Sequence, residues 1–193
     1  LLTEAKVAFE DADHVALEIP EADVTINGTY DIAIDGAVDD IKSASDWSYR
    51  NKFKSFASLK ESDPFGYVGQ LAGYAQASGL KAGGWWVINK ANGSFKYIPA
   101  NGLDMVEEMY KIKKTALAVK SNKLERCFDA VDETFNGKKT GNKILGSECS
   151  WCSYRHACWP TLKELPALKS RAKEPKIVSY VHIKEEDNNE RVS

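Results

Sequence analysis

Apolar and polar positions along the chain alternate between two periods. Residues 1–12, "LLTEAKVAFEDA", read as the end of a helix. "HVALEI" (14–19) alternates with period two and predicts a strand. After Pro20, "DVTINGTYDIAI" (23–34) is rich in β-branched residues and is interrupted by Asn27-Gly28. Asp35-Gly36 is a two-residue hairpin signal, and "AVDDIKSAS" (37–45) is the expected return strand. Residues 46–59 and 64–79 predict helices, the second opening at Pro64 and closing near Gly79. "GWWVINK" and "SFKYIP" flank Ala91-Asn92-Gly93 and predict a second hairpin. Apolar residues at 103, 106, 110, 117, 124 and 128 keep helical spacing. A Gly-, Lys- and Asn-rich loop (136–146) then leads to a cysteine segment (149–158), a polar stretch with proline, and a last strand over 176–183. No internal repeat and no long low-complexity linker interrupts this order.

Composition narrows the class. The 193 residues are 43% apolar and 10% aromatic, enough for a packed core. No apolar run approaches a membrane span and no leader pattern opens the chain, so a soluble cytoplasmic protein with no membrane partner is expected. The net charge is −2, which announces no polyanion partner by itself. The charge is uneven, however. "KIKKTALAVKSNKLER" (111–126) holds six basic residues against one acid, and "RNKFKSFASLK" (50–60) holds four and no acid. Such patches are either solvated helix faces or phosphate contacts.

The first hairpin carries the chemistry. With Asp35-Gly36 as the turn, Ile34 faces Ala37, Ala33 faces Val38, Ile32 faces Asp39 and Asp31 faces Asp40. Alternation puts Lys42 on the face of Asp40 and turns Asp39 away. Asp31 and Asp40 would then stand with Cβ atoms roughly 4.5–5.5 Å apart. Two carboxylates at that distance share a proton or bind a cation. Mg²⁺ takes such oxygens and keeps waters for substrate phosphates. A lysine beside them can serve an attacking water and stabilise phosphate charge. On the following helix, Gln70 and Tyr74 stand at i and i+4, on one face.

Asp31, then Asp40-Ile41-Lys42, then Gln70-x-x-x-Tyr74, in this order, resembles the PD-(D/E)XK nucleases of the RecB-like branch, which includes many phage exonucleases. The resemblance spans about residues 20–160. It implies a restriction-endonuclease-like α/β fold: a mixed central β-sheet flanked by helices, with a metal-tied C-terminal segment. It implies Mg²⁺ or Mn²⁺ on Asp31, Asp40 and the Ile41 carbonyl, with Lys42 serving the attacking water and Gln70 and Tyr74 ordering the site. DNA ends, single- or double-stranded, are the implied substrate. A phage recombination protein is the implied partner, and the host cytoplasm the implied compartment. The family also carries a Glu or His on a helix before these strands, which here would fall at or before residue 1; Glu4 and Glu10 are the glutamates nearest that place.

The cysteines form a second constellation. Cys149, Cys152 and Cys158 follow the pattern Cys-x2-Cys-x5-Cys, and Cys127 is expected at the end of the long helix. In a cytoplasmic protein such clustering points to metal ligands rather than disulfides. Cys127 or His156 completes four ligands, and the spacing suits zinc or a four-iron cluster equally. The run resembles the iron–sulfur staple of AddB and its CRISPR-associated relative, and phage relatives share Arg126-Cys127-Phe128 and Gly141-Asn142. This resemblance implies a [4Fe-4S] cluster, with Zn²⁺ as the alternative, in a structural role.

The expected organisation is a nuclease core over 1–148 and a Cys-rich segment with the last strand over 149–193. The alternative is a DNA-binding or recombination accessory module of the same fold without catalysis. Of Trp85 and Trp86, alternation buries one and exposes the other. Lys90 and Lys96 flank the second turn, where they are either solvated or in contact with a DNA backbone. His14 and His182 read as surface residues.

Overall fold

The structure, a computed structural model, describes residues 3, 4, 6–123 and 125–184. It is a mixed α/β protein with one mixed sheet and one antiparallel sheet. The chain divides into two compact units, Leu1–Lys123 and Leu124–Ser193.

The first unit begins with a long antiparallel hairpin, β1 (Phe9–Ile19) and β2 (Val24–Ile34), joined through a 3-10 turn at Pro20–Ala22. A tight turn leads to β3 (Ala37–Ala44), then α1 (Asp46–Arg50), a 3-10 turn (Lys52–Lys54), α2 (Phe56–Glu61) and α3 (Tyr67–Ser78). Next come β4 (Lys81–Asn89), β5 (Phe95–Pro99) and α4 (Met105–Lys120). The strands follow one another in the sheet in chain order, antiparallel except for β3 beside β4. A parallel neighbour requires a crossover connection. Residues 45–80 provide it and lay α3 against β1 to β4, with α4 packed on α3. Val38, Leu59, Leu71, Trp85, Val87 and Ile98 form the main core. Leu17, Ile19, Ala22 and Ala116 form a second cluster, joined by Met109 and Ile112 of α4.

Several elements differ from the sequence pattern. Residues 9–12, expected at a helix end, belong to β1, because Phe9 to Asp11 pair with Ile32 to Ile34. Pairing along the whole partner strand outweighs a local preference. Asn27-Gly28 does not interrupt β2, since both residues pair with β1. The helix expected over 46–59 is broken in two. Ser45 and Ser55 are both N-caps, their hydroxyls accepting from the N–H groups of Ser48 and Ser58. The next helix starts at Tyr67 instead of Pro64, because the Asp63 carboxylate accepts from the N–H groups of Tyr67 and Val68 and Gly66 takes a positive φ. It ends at Gly79, as expected, with φ 73°. The helix expected to reach 128 ends at Lys120, where Asn122 adopts a positive φ. Leu124 lies outside the described residues.

The second unit is a four-stranded antiparallel sheet of β6 (Val131–Phe135), β7 (Lys138–Ile144), β8 (Lys163–Pro166) and β9 (Ile177–His182), in the order β6-β7-β9-β8. Two single turns, α5 (Ser147–Ser150) and α6 (Arg155–Cys158), lie between β7 and β8. The expected loop over 136–146 is thus mostly strand. Asn136 and Gly137 both take positive φ and close a hairpin between β6 and β7. β8 lies in the polar stretch with proline, where the pattern predicts no strand, and β9 is the expected last strand. The core here is Leu145 and Tyr180 around a polar hub. Buried Glu133 accepts from Tyr180 Oη at 2.7 Å, Thr140 Oγ1 at 2.7 Å and Asn142 Nδ2 at 2.8 Å. No helix of the described residues is long and apolar enough to cross a membrane.

Candidate active site

The hairpin register falls as the turn signal requires. Asp35 and Gly36 take φ of 50° and 75°, and the pairs run Ile34 with Ala37, Ala33 with Val38 and Ile32 with Asp39. The expected ladder pair of Asp31 with Asp40 is not among the paired residues; the Asp31 carboxylate is near enough to raise the Asp40 pKa. The paired residues stop at Ile32 and Asp39, and beyond them the Asp31 side chain reaches β3: its Oδ2 accepts from the N–H of Ile41 at 2.6 Å. Ile41 thus joins the site through its N–H, while its side chain is exposed.

Asp40 is buried, and Lys42 reaches across its carboxylate. Lys42 Nζ donates to Oδ1 at 3.0 Å and lies 2.7 Å from Oδ2, out of hydrogen-bond alignment. Oδ2 is therefore buried and ion-paired yet has no hydrogen bond. Burial pushes the Asp40 pKa up to about 6, with the Asp31 carboxylate pushing the same way and Lys42 opposing. A cation beside Asp40 is what this arrangement favours, and Lys42 supplies one.

The same ammonium reaches the helix. Lys42 Nζ donates to Gln70 Oε1 at 2.9 Å, and Gln70 Nε2 donates to Tyr74 Oη at 2.9 Å. Asp40, Lys42, Gln70 and Tyr74 thereby form one chain of contacts across β3 and α3, and Asp31 of β2 stands beside it on the Ile41 N–H. Tyr74 packs on Gly28, where an added Cβ would stand 2.6 Å from Cε1. The Asn27-Gly28 pair, expected to interrupt the strand, is instead the flat place that admits this ring.

Two features lay outside the sequence reading. Tyr67, on the first turn of α3, has the Lys42 ammonium 4.8 Å from its ring centroid and the Lys52 ammonium at 4.5 Å. Asp39 turns away from the site, as expected, and is buried. It accepts from Trp86 Nε1 and Tyr97 Oη, each at 3.0 Å. Burial raises the Asp39 pKa, and burial with the Asp39 charge raises that of Tyr97. Trp85 is the buried tryptophan of the pair. Glu10, one of the two glutamates considered for an upstream acid, is an exposed β1 residue paired with Ala33. Lys96 points to the Tyr49 carbonyl and ring rather than to solvent, while Lys90, His14 and His182 are exposed.

In the second unit all four cysteines are free thiols. Cys127 lies beyond the end of α4 and not on it, because that helix stops at Lys120. Arg126 holds the Cys127 segment beside Cys158: its Nε donates to the Cys158 carbonyl at 2.8 Å, and its guanidinium stacks 3.9 Å from the Trp159 ring centroid. Burial raises the Cys149 pKa, and the charges of Cys152, Cys158, Glu148 and Cys127 add to the rise. The other three thiols are thus within electrostatic reach of Cys149. Among the described residues no group of three or more His, Cys, Asp or Glu side chains is gathered closely enough to hold a metal as it stands. His156 is exposed and lies 3.9 Å from Glu164, a weak ion-pair contact.

No protein-family model matches the chain, and no curated protein matches it.

Proposed function

We propose that this protein is a metal-dependent deoxyribonuclease of the PD-(D/E)XK superfamily, of the RecB-like phage exonuclease type, hydrolysing phosphodiester bonds at DNA ends. One observation carries the reading: a single ammonium, Lys42 Nζ, contacts both the Asp40 carboxylate and Gln70, tying the acid pair to the helix that bears Tyr74. A structural ion pair needs only two of these groups. The order of strands supports a restriction-endonuclease-like core: an antiparallel β1-β2-β3 meander, helices, then β4 parallel to β3.

The carboxylates fit a divalent cation in kind: Asp40 is a buried acid with the Asp31 carboxylate close enough to raise its pKa, and its Oδ2, now ion-paired with Lys42, makes no hydrogen bond of its own. Asp31 and Asp40 would hold Mg²⁺ or Mn²⁺, with the Ile41 carbonyl as the third expected ligand, and the ion supplies Lewis-acid charge and a more acidic water. The Ile41 N–H fixes Asp31 in place. Lys42, steered by Gln70, holds its ammonium where it can bond the attacking water or a non-bridging phosphate oxygen. Tyr74 restrains Gln70 from the far side.

The four cysteines supply the donor set of a [4Fe-4S] cluster or of zinc. They lie in a unit whose buried apolar side chains are few, where a metal would be structural.

Release of nucleotides from linear DNA in the presence of Mg²⁺ tests the assignment. Asp40→Ala and Lys42→Ala should each lower cleavage roughly 10²- to 10³-fold, the scale of losing a key electrostatic group, with the circular-dichroism spectrum unchanged. Either variant cutting at the full rate would overturn the reading. Binding of DNA without cleavage by the intact protein would indicate an accessory module.

A further inference from the structure

Beside Lys42 stands a cluster of aromatic and cationic side chains that the catalytic reading leaves unused. Two ammonium groups lie over the Tyr67 ring, that of Lys42 at 4.8 Å and that of Lys52 at 4.5 Å from its centroid. The two charges are therefore no more than about 9 Å apart. Lys52 also stands 5.1 Å from the centroid of Phe65, whose ring lies 6.0 Å from that of Tyr67. Phe65 is 64% exposed, although it sits among other aromatic rings. Phe65 thus keeps most of its surface in water beside a cation, one side chain from the proposed reaction centre.

Its chemical surroundings are those of a strand-binding surface. The segment from Arg50 to Lys60 carries Arg50, Lys52, Lys54 and Lys60 and no acid. Arg50 and Lys60 are engaged by Asp46 and Glu107. Lys54 is exposed, with no ion-pair partner among the described residues. Positive charge following a backbone, with an aromatic face beside it, is how proteins hold unpaired nucleic acid strands. In a duplex, the base faces are already covered by their neighbours, so an exposed ring gains little from it.

We propose that Lys52, Phe65 and Tyr67 form a nucleotide subsite next to the reaction centre: Phe65 stacks on an unpaired base, and Lys52 takes the phosphate neighbouring the one that faces Lys42. The substrate class is then a single-stranded DNA end. This rests on the nuclease reading above and adds the strand preference to it.

The test uses the full chain without divalent metal, so that binding is read apart from cleavage. Anisotropy is measured with a labelled 12-nucleotide single strand and with the blunt duplex of the same sequence. The wild-type protein should prefer the single strand. Phe65→Ala should weaken single-strand binding roughly 5- to 150-fold, the loss expected for one stacked base, and leave duplex binding within about twofold. Phe65→Trp should restore it. Lys52→Ala should weaken binding and flatten its salt dependence. Equal affinity for both DNAs, or single-strand binding unchanged in Phe65→Ala, overturns the subsite. If, in addition, the wild-type protein cuts DNA with Mg²⁺ normally, the nuclease reading survives that result. If it neither binds nor cuts DNA, both readings fall.

Discussion

Asp40 is an acid that the fold makes costly to ionise. Its pKa rises to about 6, mainly because burial disfavours the charge, from an ordinary value of 3.8. A group held more tightly protonated in the folded chain adds stability below its unfolded pKa and loses it as the pH rises through its folded pKa. The window here is about pH 4 to 6, and the shift is worth about 3 kcal/mol. In metal-free buffer, Asp40→Asn should therefore match the wild type in urea denaturation at pH 4 and exceed it by up to about 3 kcal/mol at pH 8. A difference independent of pH would show that the carboxylate is not strained. Asp40 and Lys42 were legible in the sequence because Asp35-Gly36 fixes a register and register fixes faces, and Gln70 and Tyr74 because i and i+4 share one helix face. Tyr67 and Lys52 were not. They meet Lys42 through ring contacts between β3, the Lys52–Lys54 turn and α3, and no periodicity encodes such a meeting.

At the scale of elements, α3 depends on how it starts. Asp63 accepts two of the N–H groups that a helix leaves unpaired at its first turn, those of Tyr67 and Val68. That turn carries Tyr67, and the next residues bring Gln70 to Lys42. Asp63→Ala should cost about 1 kcal/mol in denaturant unfolding and also reduce cleavage, because the Lys42–Gln70 bond depends on the helix's placement. Asp63→Asn should recover most of both. Stability loss with full cleavage would separate the cap from the site. The cap was hidden in the sequence by Pro64, a stronger-looking helix opening that the structure leaves outside the helix. β7 was missed for a related reason. Its lysines and glycine resemble a loop, while the informative pair, Asn136-Gly137, sits at its edge and closes the hairpin.

At the scale of the whole molecule, the two units differ in what holds them. The first contains both apolar clusters. In the second, about 70 residues long, the buried apolar side chains among the described residues are Leu145 and Tyr180, and the centre is the Glu133 hub. Domains of that size with so little core generally need a disulfide, a metal or a partner. The cysteines here form no disulfide, and Cys149 feels the charge of the other three. A metal ion would bind these thiols as thiolates, and its binding energy would become folding energy for this unit. Calorimetry of anaerobically purified protein should then show two transitions. A chelator that strips the metal, or Cys152→Ser, should lower or abolish one of them, assigned to 124–193 by its loss of hydrogen-exchange protection, and leave the transition of 1–123 in place. A broad visible band that disappears with the lost transition would mark iron–sulfur ligation, and bound zinc without that band would mark the alternative. If the treated and untreated proteins melt identically, the cysteines are not a metal staple, and the Glu133 hub with its strands is sufficient to hold the second unit.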